Sequence, residues 1–149
     1  MKLNDLALHG GPTTIDKKFP WPIYDESDTK AVAEIVRSGA WGNPDCGGIV
    51  AGFEKEFADF CGTRYALSCV NGSVALRLAL IACGVRPGDE VILPPYTFNA
   101  TASIVAEANC VPLFAALEPD TYNLDPQAVE KAITPRTRAI IPVLFAGQA

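Results

Sequence analysis

Residues 65–103 read YALSCVNGSVALRLALIACGVRPGDEVILPPYTFNATAS, and how this stretch is read decides the fold. Residues 65–70 form a short apolar, strand-prone run that stops at Asn71-Gly72. Residues 73–83 then read as a helix, with Val74, Ala75, Leu78, Ala79 and Ala82 on one broad face. The next expected strand, Glu90 to Leu93, leads into Pro94-Pro95-Tyr96-Thr97-Phe98. A strand that turns through glycine into a helix start makes an anion site. The first helical N–H groups lack internal partners, and the helix dipole favours negative charge there. Gly72 allows close approach to the backbone, and the Ser73 hydroxyl can cap or donate. Most such turns are capped helices that hold nothing. Here a second turn follows, and in an open α/β sheet the carboxyl ends of neighbouring strands share a ligand crevice. Phe98 and Tyr96 would bring aromatic rings to it. An anion cradle beside a flat ring suits a planar phosphorylated cofactor.

Working outward, the pattern becomes β-α-β-α-β-α-β. Strands are expected at 65–70, 90–93, 111–115 and 138–144, and helices at 73–83, 99–109 and 126–133. Alternation of this kind predicts an α/β fold, a mostly parallel sheet with flanking helices. Residues 139–144, AIIPVL, are apolar on both faces, as a central strand would be. Pro142 cannot donate to a ladder and predicts a bulge or a strand end. Upstream, residues 1–22 form an arm interrupted by HGGP and FPWP, with Phe19 and Trp21 expected to pack on this body or on a partner subunit. Residues 25–38 read as a helix capped by Asp25 or Ser27 and ended by Gly39, with Ala31, Ile35 and Val36 facing inward. Residues 40–51 are a polar, glycine-rich loop. Residues 52–61 read as a helix whose Phe53, Phe57 and Phe60 stripe is expected to be core.

Composition narrows the function classes. A chain of 149 residues with 49% apolar and 19% charged residues is globular, and one domain is the prior. The net charge of −5 without a basic cluster argues against nucleic acid as the main partner. Five cysteines are scattered singly, which reads as small buried hydrophobes in a reducing compartment. His9 is the single histidine, expected to be solvated, so no metal site is expected. There is no signal-peptide core and no apolar run long enough for a membrane span, and the expected location is cytoplasmic.

The strings NGSVALRLAL, PGDEVILPPYTFNATAS and EPDTYNLDPQAVEKAITPRTRAIIPV together resemble the DegT/DnrJ/EryC1/StrS sugar aminotransferases. The likeness runs from about Phe19 to Ala149. It implies an incomplete large domain of the aspartate-aminotransferase-like, fold type I enzymes that use pyridoxal 5'-phosphate (PLP), with residues 1–22 as an arm and 23–149 as the domain's N-terminal part. It implies that Gly72, Ser73 and Val74 hold the cofactor phosphate and that Phe98 stacks on the pyridine ring. Ser73 stands where the family usually has threonine, a mild departure that keeps the hydroxyl. Trp41, Gly42 and Tyr96 are the implied substrate contacts, although Trp41 could equally anchor its loop. The implied reaction moves an amino group from glutamate or glutamine to a keto-sugar nucleotide or a cyclitol, in a homodimer when full length. No catalytic residue is expected in this chain. The Schiff-base lysine and the acid facing the pyridinium nitrogen lie downstream in the family, and the six lysines here fall in the arm, on helix surfaces or near helix ends. Ala116 stands where the family usually has aspartate, and Leu144 where it often has histidine. Two alternatives stay open: a PLP-family sugar dehydratase or regulatory relative, and a generic α/β nucleotide-binding module, which the NGS turn fits poorly.

Overall fold

A computed structural model describes residues 6–13, 20–42 and 48–148. The chain divides into two compact units, residues 1–66 and 67–149. Phe19, Cys46 and the middle of the glycine-rich loop lie outside the described residues.

The first unit is helical. Helix α1, Glu26–Ser38, starts at Asp25, whose carboxylate accepts from the Ser27 N–H while Asp28 accepts from the Asp25 N–H. Together these make a reciprocal capping box. The same Ser27 contacts, its hydroxyl first, hold the Asp25 carboxyl below the usual carboxylate range. Gly39 closes the helix at φ 69°. Of the residues expected to face inward, Ile35 is partly covered and Ala31 and Val36 are exposed. A 3-10 turn, Ala40–Gly42, follows. Helix α2, Ile49–Cys61, begins three residues earlier than expected, so the end of the presumed loop is helical. Its phenylalanine stripe is not core. Phe53, Phe57 and Phe60 touch one another in tilted pairs 5.7 and 6.4 Å apart, yet Phe60 is 86% exposed. The rings have the helical spacing, but the described residues of this unit offer no surface that buries them. Trp21 is exposed within this chain, and His9 is exposed as expected.

The second unit holds the sheet. Three parallel strands lie in the order β2–β1–β3: β1 is Glu90–Leu93, β2 Val111–Phe114 and β3 Thr137–Ile140. Helix α3, Gly72–Ala82, precedes β1; α4, Ala100–Glu107, links β1 to β2; α5, Pro126–Ala132, links β2 to β3. The helix α3 leads into β1 through a tight connection in which the Arg86 N–H donates to Asp89 and the Gly88 N–H to the Asn109 carbonyl. The central strand is β1, every residue of which is buried. By strand alternation Val91 and Leu93 share one face, and they pack with Leu80 of α3 and Ile104 and Val105 of α4. Glu90 is buried beneath this core, where Arg136 and the Thr134 hydroxyl both bond its carboxylate. The Thr134 hydroxyl above all, then Arg136, holds the Glu90 carboxyl below its ordinary range against the opposing effect of desolvation.

Three expectations are corrected here. Residues 65–70 form no strand: Tyr65, Leu67 and Val70 are each more than three-quarters exposed. Strand-prone side chains make a strand only beside a ladder partner, and no described strand pairs with them. The covered side of α3 is Ser73, Val74, Leu76 and Leu80, while Ala75, Leu78, Ala79 and Ala82 stay exposed. This helix is apolar nearly all round, so periodicity could not choose its buried face. Finally, β3 lies at an edge and ends at Ile140. The Ile141 N–H makes the last bond, 2.8 Å to the Ile92 carbonyl, and Pro142 falls just beyond it.

Candidate cofactor and substrate site

The N-terminus of α3 is built by its cap. Asn71 has extended backbone, and its side-chain oxygen accepts the Val74 N–H at 2.9 Å. Its carbonyl accepts the Ala75 N–H at 3.1 Å, the first bond of the helix ladder. Gly72, Ser73 and Val74 are therefore the three leading residues whose N–H groups have no partner within the helix. Asn71 takes one of the three. The Val74 N–H, expected to meet a phosphate, is committed to the cap, and the cap is Asn71 in place of Ser73. The signal was present in the sequence: asparagine is among the best N-cap residues and sits three positions before Val74.

The second turn arrives from the other direction. Strand β1 ends at Leu93, and Pro94-Pro95 turn the chain outward into Tyr96-Thr97-Phe98. Thr97 and Thr101 bond through their hydroxyls at 2.9 Å, and the Thr101 N–H donates to the Phe98 carbonyl at 3.0 Å. Thr101 is buried in the first turn of α4. These bonds tie the turn to the helix while leaving the Phe98 ring 76% exposed.

Gly72 and Ser73 line the same groove as Phe98. This open groove, about 710 Å³ and mostly apolar, runs between α3 and the start of α4. Asn71, Ala75 and Thr101 also line it. A backbone donor pair and a hydroxyl thus share one space with an exposed aromatic ring. That combination accommodates a flat apolar group carrying an anion.

A second, smaller groove of about 340 Å³ adjoins it through the same Phe98, lined also by Tyr96, Thr97, Val143 and Phe145. The Tyr96, Tyr122 and Phe145 rings cluster beside it with centroids 5.1–6.0 Å apart. Sequence reasoning singled out Tyr96 but missed Tyr122 and Phe145, because long-range chain folding brings them there and no local motif marks them. Trp41 and Gly42 sit in the 3-10 turn after α1, in the other unit; Trp41 is exposed. Lys30, Lys55 and Lys131 lie on α1, α2 and α5, and the described residues lining these two grooves include no lysine. Lys30 faces Glu34 at 4.0 Å, with both side chains exposed.

Residues 22–149 match the DegT/DnrJ/EryC1/StrS aminotransferase family. Among curated proteins, a UDP-2-acetamido-2-deoxy-3-oxo-D-glucuronate aminotransferase from Pseudomonas aeruginosa is 52% identical over 85% of this chain and 34% of its own length. An L-glutamine:2-deoxy-scyllo-inosose aminotransferase from Streptomyces kanamyceticus is 42% identical over 97% of this chain and 35% of its own. Among solved structures, the PLP form of a putative sugar aminotransferase from Streptococcus pneumoniae superposes with a TM-score of 0.76 at 28% identity, covering 86% of this chain and 32% of that one. The chain spans about a third of the length of the curated relatives it matches.

Proposed function

The chain belongs to the DegT/DnrJ/EryC1/StrS aminotransferase family, and we propose that it supplies the cofactor-holding part of a PLP-dependent aminotransferase acting on a keto-sugar nucleotide or a cyclitol. The amino donor in this reading is glutamate or glutamine. The observation that carries it is the shared groove: Gly72-Ser73 at the start of α3 and the exposed ring of Phe98 face one space.

The residues fit the cofactor. The Gly72 and Ser73 N–H groups, the Ser73 hydroxyl and the positive end of the α3 dipole would hold its phosphate. Val74 contributes through the helix rather than through a free donor, because Asn71 occupies its N–H. Phe98 would cover one face of the pyridine ring and exclude water from it. Bound there, PLP supplies an electron sink for the charge left when an amino acid gives up its α-proton. The lysine that carries the cofactor is assigned outside the described residues, since Lys30, Lys55 and Lys131 line neither groove. A homodimer is part of the same proposal, and the exposed Phe53, Phe57 and Phe60 stripe is apolar surface that further protein would cover.

The test uses the full-length protein and PLP. Visible absorbance should report cofactor binding, and L-glutamine or L-glutamate should shift it. Ser73→Ala should weaken PLP binding by roughly 10-fold or more, the cost of a hydrogen bond to a charged group. Phe98→Ala should weaken it too and move the absorbance maximum. A full-length protein that takes up no PLP, or whose affinity ignores both substitutions, would overturn the proposal.

A further inference from the structure

We propose that the second groove, walled by Tyr96 and Phe145 with Tyr122 behind them, binds the saturated ring of the amino acceptor, so that Phe98 divides a cofactor side from a substrate-ring side. This rests on the PLP-aminotransferase reading above. The three aromatic rings sit at mutual centroid distances of 5.1, 5.6 and 6.0 Å, within the range of favourable aromatic pairs. Yet they are not core: Tyr96 and Tyr122 are about half exposed and Phe145 more than a third.

The backbone around them is held in costly conformations. Tyr122 has φ 60° and Ala146 φ 53°, left-handed values that a bulky or β-carbon-bearing side chain disfavours. Two local devices maintain them. The Asn123 side chain clasps both ends of the turn Phe145–Gly147: its oxygen accepts the Phe145 N–H at 3.1 Å and its amide donates to the Gln148 carbonyl at 3.1 Å. Glu118 and Thr121 bond at 2.9 Å and the Thr121 hydroxyl accepts the Asn123 N–H at 3.2 Å, which fixes the loop bearing Tyr122. A doubly tethered aromatic cluster beside the groove presents ring faces that are fixed before an occupant arrives.

The chemistry of the occupant follows from the lining. Aromatic faces of Tyr96, Phe98 and Phe145 cover the apolar C–H face of a saturated ring, and the Thr97 hydroxyl is the polar group of the lining. Among the described residues no charged side chain lines the groove, and its lining is poorly suited to a phosphate or carboxylate. Its 340 Å³ lies at the small end of ligand pockets, suited to one ring rather than to a whole nucleotide. Continuity with the larger groove through Phe98 places such a ring beside the space assigned to the cofactor.

The test titrates the full-length, PLP-loaded enzyme with three probes: the cyclitol ketone scyllo-inosose, UDP-N-acetylglucosamine, and UDP alone. Tyr96→Leu and Phe145→Leu remove an aromatic face while keeping apolar volume; Tyr96→Phe keeps the ring. Each leucine variant should lose about 10-fold in affinity for whichever ring-bearing probe the wild type binds. Tyr96→Phe should stay within about threefold, and UDP binding should be unchanged in all three. Cofactor loading, read from the visible absorbance before any substrate is added, should be retained in every variant, because Gly72, Ser73 and Phe98 are unchanged. The assignment is overturned if the leucine variants bind the ring probes like wild type, or if the loss falls equally on UDP, which would make the occupant a nucleobase. It is also overturned if neither ring probe binds a wild type that still responds to the amino donor, a result that would leave the aminotransferase reading standing. Failure of PLP loading in the wild type would sink that reading instead.

Discussion

Helices α2 and α4 both carry apolar residues at helical spacing, and they meet opposite fates. In α4, Thr101, Ile104 and Val105 are buried against β1 and β2. In α2, Ala58 is the one buried residue, and the three phenylalanines are 49% exposed or more. Periodicity states which side chains benefit from leaving water. A facing surface decides whether they do. The sheet supplies such a surface to α4, and among the described residues of its own unit none of comparable extent covers α2.

The largest expected effect breaks the contrast at its centre. Ile92→Ala, at a fully buried site in β1, should cost about 2–5 kcal/mol in urea unfolding, whereas Phe57→Ala should cost less than about 1 kcal/mol. Comparable losses at both positions would mean that α2 is packed after all. Next, Glu90→Gln should lower the melting temperature by several degrees near neutral pH, because Arg136 and Thr134 then face a neutral amide. The sign of its pH dependence follows from a folded-state pKa below the unfolded one. The contribution is fully present above the unfolded value, about 4.3, and is lost as pH falls through the lower folded value. Thermal melts of wild type and variant should therefore converge on the acid side of pH 4; parallel curves down to pH 2 would contradict this.

A smaller effect belongs to the cap. Asn71→Ala should cost about 1 kcal/mol by equilibrium unfolding and free the Val74 N–H. In the PLP-loaded full-length enzyme part of that loss should return, since a phosphate can take up the released donor. No loss without cofactor would show that the cap bond is not formed in solution. The smallest effect is chemical rather than energetic. Burial first, and then the nearby Asp89 charge, push the Cys110 thiol above its usual pKa, and its Sγ lies 3.1 Å from the Arg86 carbonyl. Iodoacetamide should label the exposed Cys61, Cys69 and Cys83 well before Cys110, as peptide mass mapping would reveal.

Much of the sheet-bearing unit is legible in the sequence. The limits of β1 follow from the sequence, and those of α3 and α5 to within a residue, because Gly84, Gly88, Asn71, Asp125 and Pro126 punctuate the chain with local chemistry. What failed depended on partners. Residues 65–70 have strand composition without a ladder, and β3 was read too long because apolar continuity masked the stop before Pro142. The two turns that line the larger groove were readable as motifs. That they line one space was an inference from strand order, and the aromatic cluster around Phe145 was invisible, since Tyr96, Tyr122 and Phe145 are joined only by folding.

The register between β1 and β3 has a consequence of its own. Glu90 pairs with Thr137, but Val91 pairs with Ala139, so Arg138 is an extra residue in the edge strand. Successive amides in a strand alternate in direction, and one inserted residue reverses which of them face the neighbour. After the insertion the Ile141 N–H faces β1, which turns the nitrogen of Pro142 away from it. Remove that single residue and the parity inverts: the imide would occupy a donor position it cannot fill. The chain length between Arg136 and Pro142 is thus constrained to the residue, and a one-codon deletion there should be tolerated far less well than most single replacements in the same segment.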